Sequence, residues 1–227
     1  MTDPVMKETT SPENVLDRNP SSPHAFAWYV AFALGLALFI RFFIAAPYVV
    51  SGSSMESTFD NWDYLITDRL SYRFDEPSRG DVIVFCLPDS GECSFSKRLL
   101  NRELVAPRTL IKRVIGLPGE TVSVDSAGVH IVNAAHPEGF TLSEPYLTSE
   151  NLGGPSGIET TLGEGEYFVL GDNRRVSSDS RIWGTLPKED IIGHVVVRLF
   201  PLSTLGVLPG DADYSNDTQS NAKESGM

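Results

Sequence analysis

A mainly β chain behind one N-terminal apolar helix is the fold this sequence predicts, on three observations. An uncharged run of helical length stands near the start. Short segments rich in Val, Ile, Tyr and Phe, alternating in pattern, recur after it between Gly, Pro and Asp turns. No second run of helical period and length follows. The 227 residues suffice for one such domain and its core.

Residues 1–23 are polar, without periodicity, and read as a flexible tail. Ala25 to Ile40, AFAWYVAFALGLALFI, carries no charge, and after Arg41 the sequence continues FFIAAPYVV to Val50. A bilayer core of ~30 Å takes roughly 20 apolar residues in a helix. Residues 24–46 are therefore expected to form a transmembrane helix, with Arg41 snorkelling to one interface and Trp28, Tyr29 and Tyr48 as interfacial anchors. A cleaved secretory leader would have a shorter apolar run and a more basic start. A buried core helix is the remaining alternative. Lys7 and Arg18 before the span, and Arg41, Arg69 and Arg73 after it, leave its orientation open.

Residues 47–208 are expected to form a β-rich domain, most simply antiparallel. Its strands are DVIVF (Asp81 to Phe85), TLIKRVIG (Thr109 to Gly116), TVSV (Thr121 to Val124), VHIV (Val129 to Val132), EYFVL (Glu166 to Leu170) and HVVVRLF (His194 to Phe200). Val122 and Val124 facing Val129 and Ile131 across Asp125-Ser126-Ala127-Gly128 predict a hairpin. A helical turn is expected near Pro187 to Ile192. PGDADYSNDTQSNAKESGM, residues 209–227, reads as a disordered tail.

The formal net charge of −12 and the lack of any basic run argue against a nucleic-acid partner. His24, His130, His136 and His194 show no paired ligand spacing, and two cysteines are too few for a structural zinc. No phosphate-cradling loop, dinucleotide fingerprint or G-x-S-x-G elbow occurs, so no cofactor or metal is expected. Cys86 and Cys93 read as free thiols in a reducing compartment, or as the ends of a small closed loop outside one.

Two stretches invite chemistry. In TLIKRVIG, period two puts Leu110, Lys112 and Val114 on one face and Ile111, Arg113 and Ile115 on the other. Whichever face is buried, a cation is drawn among apolar side chains. Arg113 would then need a carboxylate, whereas a desolvated Lys112 can lose its charge and act as a base. A solvated lysine on an edge strand is the plainer alternative. LGDNRRVSSDSRIWG, Leu170 to Gly184, is either a solvated loop or a packed support for a site. SGSSMEST, Ser51 to Thr58, offers four serines, and a serine is inert without an activating base.

SGSSMEST, RGDVIVF (Arg79 to Phe85), IKRVIGLPGE (Ile111 to Glu120) and GDNRRVSSDSRIWG, in that order after an apolar span, resemble the bacterial type I signal peptidases. These are membrane-anchored serine proteases with a Ser/Lys dyad, and the resemblance runs roughly from Ala25 to Pro201. It implies a barrel-like antiparallel catalytic domain, a nucleophile at Ser54 (the serine before Met in S-M-x-P-T) and a general base at Lys112. Gly52 falls where the family helps bind the oxyanion, here through backbone donors such as the Ser54 amide. Ser177 matches the serine that hydrogen-bonds the lysine, Asp179 and Arg181 an ion pair supporting that loop, and Asp172 a partner for Arg113. The implied substrates are signal peptides of exported pre-proteins, cut after small residues. The implied setting is the plasma membrane, crossed once, with a cytoplasmic tail and the catalytic domain outside. That setting favours a Cys86–Cys93 disulfide. One departure stands out: Ser57 replaces the family proline, which predicts a looser turn and slower turnover. Another Ser/Lys protease on the same scaffold, or a catalytically impaired tethered β domain that binds a partner, are the competing readings.

Overall fold

The structure, a computed structural model, describes residues 23–40, 44–87, 109–210, 212 and 214, and divides into two compact units, Met1–Phe39 and Ile40–Met227. In the first, Ala- and Leu-rich sequence gives one helix, α1 (Pro23–Phe39, 17 residues), which is apolar on every side. Phe26, Trp28, Tyr29 and Phe32 along it are all exposed. Among the described residues no helix is long and apolar enough to cross a membrane. Residues 1–22 and 41–43 lie outside the described residues. Ala45 and Ala46, expected within the span, instead open a strand, because the backbone of AAPYV finds a partner strand to pair with.

The second unit is two antiparallel sheets. In chain order its strands are β1 (Ala45–Val49), β2 (Tyr64–Asp68), β3 (Val82–Cys86), β4 (Thr109–Gly116), β5 (Thr121–Val124), β6 (Val129–Val132), β7 (Phe140–Thr141), β8 (Ile158–Thr161), β9 (Glu166–Leu170), β10 (Leu186–Pro187), β11 (Ile191–Phe200) and β12 (Gly206–Val207). The larger sheet runs β1-β2-β11-β3-β4-β9-β10, with β12 on β11, and the smaller runs β7-β6-β5-β8. The hairpin pairs Val122 with Ile131 and Val124 with Val129. His194 is a β11 residue stacked on Tyr72. At Pro187 the chain makes a short 3-10 turn, Lys188–Asp190.

Apolar clusters cover the central strands on both faces, as a continuous Val/Ile/Phe run requires. Val82 and Val84 of β3 pack with Met55, Phe59 and Val195, while Ile83 and Phe85 pack with Val114, Tyr167 and Val169. The smaller sheet lays Val122, Val124, Val129 and Ile131 on Ile115, Phe168 and Leu170. Lys112 and Arg113 thus lie on a strand whose C-terminal half is buried whichever way it faces. Cys86 closes β3, buried and disulfide-bonded; Cys93 lies outside the described residues.

Candidate active site

Ser54 lies on the loop from β1 to β2. The loop is pinned at its base, where the Val50 amide donates to Asp63 O at 2.9 Å and the Trp62 amide to Val50 O at 2.9 Å. Inside it, Met55 and Phe59 are 1% exposed and make one helical turn, with the Phe59 amide on Met55 O at 2.8 Å. Two buried anchors of that size hold the residue beside them. The Ser54 carbonyl in turn accepts from the Asn173 amide at 3.0 Å. This contact with the β9 exit needs Gly171, since a Cβ there would collide with Ser54 O and the Ser177 side chain.

β4 brings the base. Opposite Ile83 in register, and on the face shared by Leu110 and Val114, Lys112 is 2% exposed. Its Nζ is 2.7 Å from Ser54 Oγ and donates to Ile111 O at 2.8 Å. Burial pushes the amine from the ordinary lysine value down to about 8, against the attraction of Asp179 and Asp172, which favours the charged form. Each of those carboxylates is already paired. Asp172 takes Arg113 Nε at 2.9 Å and Nη2 at 2.6 Å, both side chains being wholly buried. Asp179 takes Arg181 Nε at 2.8 Å and Nη2 at 2.9 Å. With a guanidinium on each carboxylate, their pull on the lysine is the smaller effect and desolvation prevails.

Asp179 also caps a short helix, α2 (Ser180–Trp183), through the Arg181 amide, and accepts from the Gly171 amide at 3.1 Å. Arg181 continues to Gly153 O at 3.1 Å and Arg174 O at 2.8 Å. GDNRRVSSDSRIWG is therefore a packed support, not a solvated loop. Ser177 departs from expectation. Its hydroxyl is buried, packs on Gly171 and has no hydrogen-bond partner among the described residues, while Lys112 Nζ contacts Ser54 and Ile111. The Gly52 amide is likewise engaged, donating to Asn61 Oδ1 at 3.0 Å.

Sequence reasoning missed the segment after β7. Arg174 donates to Gly171 O at 3.0 Å and pairs with Glu144, while the Tyr146 ring lies 3.8 Å from the Arg113 guanidinium carbon. Asn151 Nδ2 donates to Glu56 O at 3.0 Å, and Ser57 Oγ to Tyr146 O at 2.9 Å. Only the Arg174 charge inside the motif hinted at this, and nothing marked its partner. Ser57 itself has φ 82°, in the left-handed region that proline cannot enter. Far from loosening the turn, the serine sits in a backbone shape of its own and is tied down by its hydroxyl.

The family described as signal peptidase, peptidase S26, matches residues 24–200. A probable signal peptidase I-1 of Synechocystis sp. is 38% identical over 176 residues, 78% of this chain and 82% of that protein. A signal peptidase I of Leptolyngbya laminosa is 37% identical over 187 residues, 82% of this chain and 83% of that one. A solved signal peptidase I from Enterococcus faecalis V583 is 31% identical, with a TM-score of 0.38 over 53% of this chain and 97% of its own.

Proposed function

The chain belongs to the signal peptidase family, peptidase S26, and from that premise we propose that Ser54 and Lys112 are its catalytic dyad. It is a serine endopeptidase that removes signal peptides from pre-proteins. The observation that carries the dyad is the buried Lys112 amine, 2.7 Å from Ser54 Oγ and with its pKa lowered by burial to about 8.

With one N–H on Ile111 O, the neutral amine has its lone pair for the Ser54 hydroxyl. It takes that proton as Oγ attacks the scissile carbonyl, and the tetrahedral oxyanion is held by backbone donors including the Ser54 amide. The ammonium then protonates the leaving amine. A water activated by the same base hydrolyses the acyl-enzyme. General-base help of this kind is worth ~10²–10⁴-fold.

The anchor belongs to the same reading. α1 is apolar all round, a pattern that suits lipid on every side. Membrane attachment through it, with the β unit on the extracytoplasmic face, fits a disulfide-bonded Cys86 with Cys93 as its partner, since disulfides persist outside the reducing cytosol.

In detergent, the protein is expected to cleave a pre-protein bearing a signal peptide. Ser54→Ala and Lys112→Ala each abolish that cleavage, and Ser53→Ala does not. Equal loss from Ser53→Ala would move the nucleophile by one residue.

A further inference from the structure

Composition assigns everything from Pro209 onward to a tail, yet Gly210, Ala212 and Tyr214 lie against the machinery around the dyad. Arg113 is the neighbour of Lys112 on β4 and buries five N–H donors. Asp172 takes two, Gly80 O takes Nη1 at 2.9 Å, and Thr58 Oγ1 lies 3.4 Å from Nη2. The second Nη1 donor goes to the carbonyl of Gly210. Gly210 has φ 83°, and a Cβ on it would collide with the Thr58 methyl. Thr58 stands on the turn that carries Ser54, and its hydroxyl donates to Asp172.

Further along, the Ala212 carbonyl and the Tyr214 ring cover Gly80 so closely that no Cβ fits beneath them. Tyr214 packs on the cluster of Ile115, Phe168 and Leu170, and its hydroxyl donates to that of Tyr146 at 3.3 Å. Tyr146 is the ring stacked on Arg113. Besides the packing of Tyr214 on the apolar cluster, these contacts end on Arg113, on Gly80 and Tyr146 that touch it, or on the turn that carries Ser54.

We propose that Gly210, Ala212 and Tyr214 form a strap that positions the dyad. It completes the Arg113–Asp172 pair and bears on Thr58, so that the strand carrying Lys112 and the loop carrying Ser54 keep one spacing. These are positioning residues that meet neither substrate nor reacting atoms. The inference rests on the Ser54/Lys112 reading.

The test is a double-mutant cycle in the full chain, read as cleavage kinetics of a signal-peptide substrate in detergent. Gly210→Ala lowers kcat about 10-fold with KM within about 2-fold, since a displaced loop loses attack geometry and not substrate contacts. In the Thr58→Ser background the hydroxyl to Asp172 is kept and the colliding methyl is gone. There the same Gly210→Ala change costs less than about 3-fold. A segment with packing weight alone would lower Tm and leave kcat equal once folding is complete. Unchanged kcat in Gly210→Ala, or the same loss in both backgrounds, overturns the strap. Lys112→Ala is run alongside: inactive wild type or active Lys112→Ala defeats the dyad, whereas a failed cycle beside a sound control defeats only the strap.

Discussion

Lys112 shows how far one side chain is legible in sequence. Alternation along TLIKRVIG put one cation on each face, so that burying either face would bury a cation and a solvated edge lysine stayed possible; the fold buries both. Alternation alone did not supply the carboxylates: Asp172 and Asp179 reach Lys112 only through the fold, and although Arg181 stands two residues from Asp179, both ion pairs were expected only from the family resemblance. On the proposed mechanism, activity needs the neutral amine. Below its pKa of about 8 the lysine is protonated, so kcat/KM is expected to rise tenfold per pH unit below pH 8 and level off above it. A profile flat from pH 6 to 9 would exclude a lysine base. The looseness expected at Ser57 is not found, since φ is invisible until the turn is built. Ser57→Pro is expected to cost more than about 1 kcal/mol, lowering Tm by at least ~2–4 °C. Ser57→Gly, which accepts φ 82° and loses only the bond to Tyr146, melts above the proline variant. Equal melting of the two would remove the backbone explanation.

At the scale of elements, strands buried on both faces were legible because their Val/Ile/Phe runs are strong and bounded by turns. β3, β4, β9 and the β5–β6 hairpin fall where the pattern puts them. β1 and β2 were not found: AAPYV carries a proline and continues the apolar run before it, and YLITD is short and polar at its end. Their pairing with each other and with β11 supplies what local sequence does not. The exit of β9 was read as a turn, but the reason for Gly171 lay in space. Its bare Cα lets Ser54 O, Asn173 N and Ser177 converge. Gly171→Ala forces a Cβ into that convergence, an overpacking worth ~1–3 kcal/mol. Urea unfolding is expected to show that loss together with loss of cleavage at saturating substrate, as Ser54 is pushed off Lys112. Full kcat in a stably folded Gly171→Ala protein would show the dyad does not depend on this packing.

The whole molecule poses the question of what α1 contributes to a reaction carried out in the other unit. Its 17 residues rise about 26 Å at 1.5 Å each, against a hydrocarbon core of ~30 Å. The described helix alone is thus slightly short of that thickness. The β unit has its own clusters and encloses both Ser54 and Lys112. A chain lacking residues 1–43 is therefore expected to fold and to cut a short soluble peptide at a rate within about 3-fold of the full chain, because attack geometry is set inside that unit. Pre-proteins embedded in vesicles should respond differently. Tethering enzyme and substrate to one bilayer raises their effective concentration, and its loss is expected to slow processing ~10²-fold or more. Flotation of the full chain with vesicles after an alkaline carbonate wash, beside both cleavage rates, separates anchoring from catalysis. Equal processing of vesicle-bound pre-protein with and without α1, or a full chain left at the bottom of the gradient, would end the anchor's role while leaving the dyad untouched.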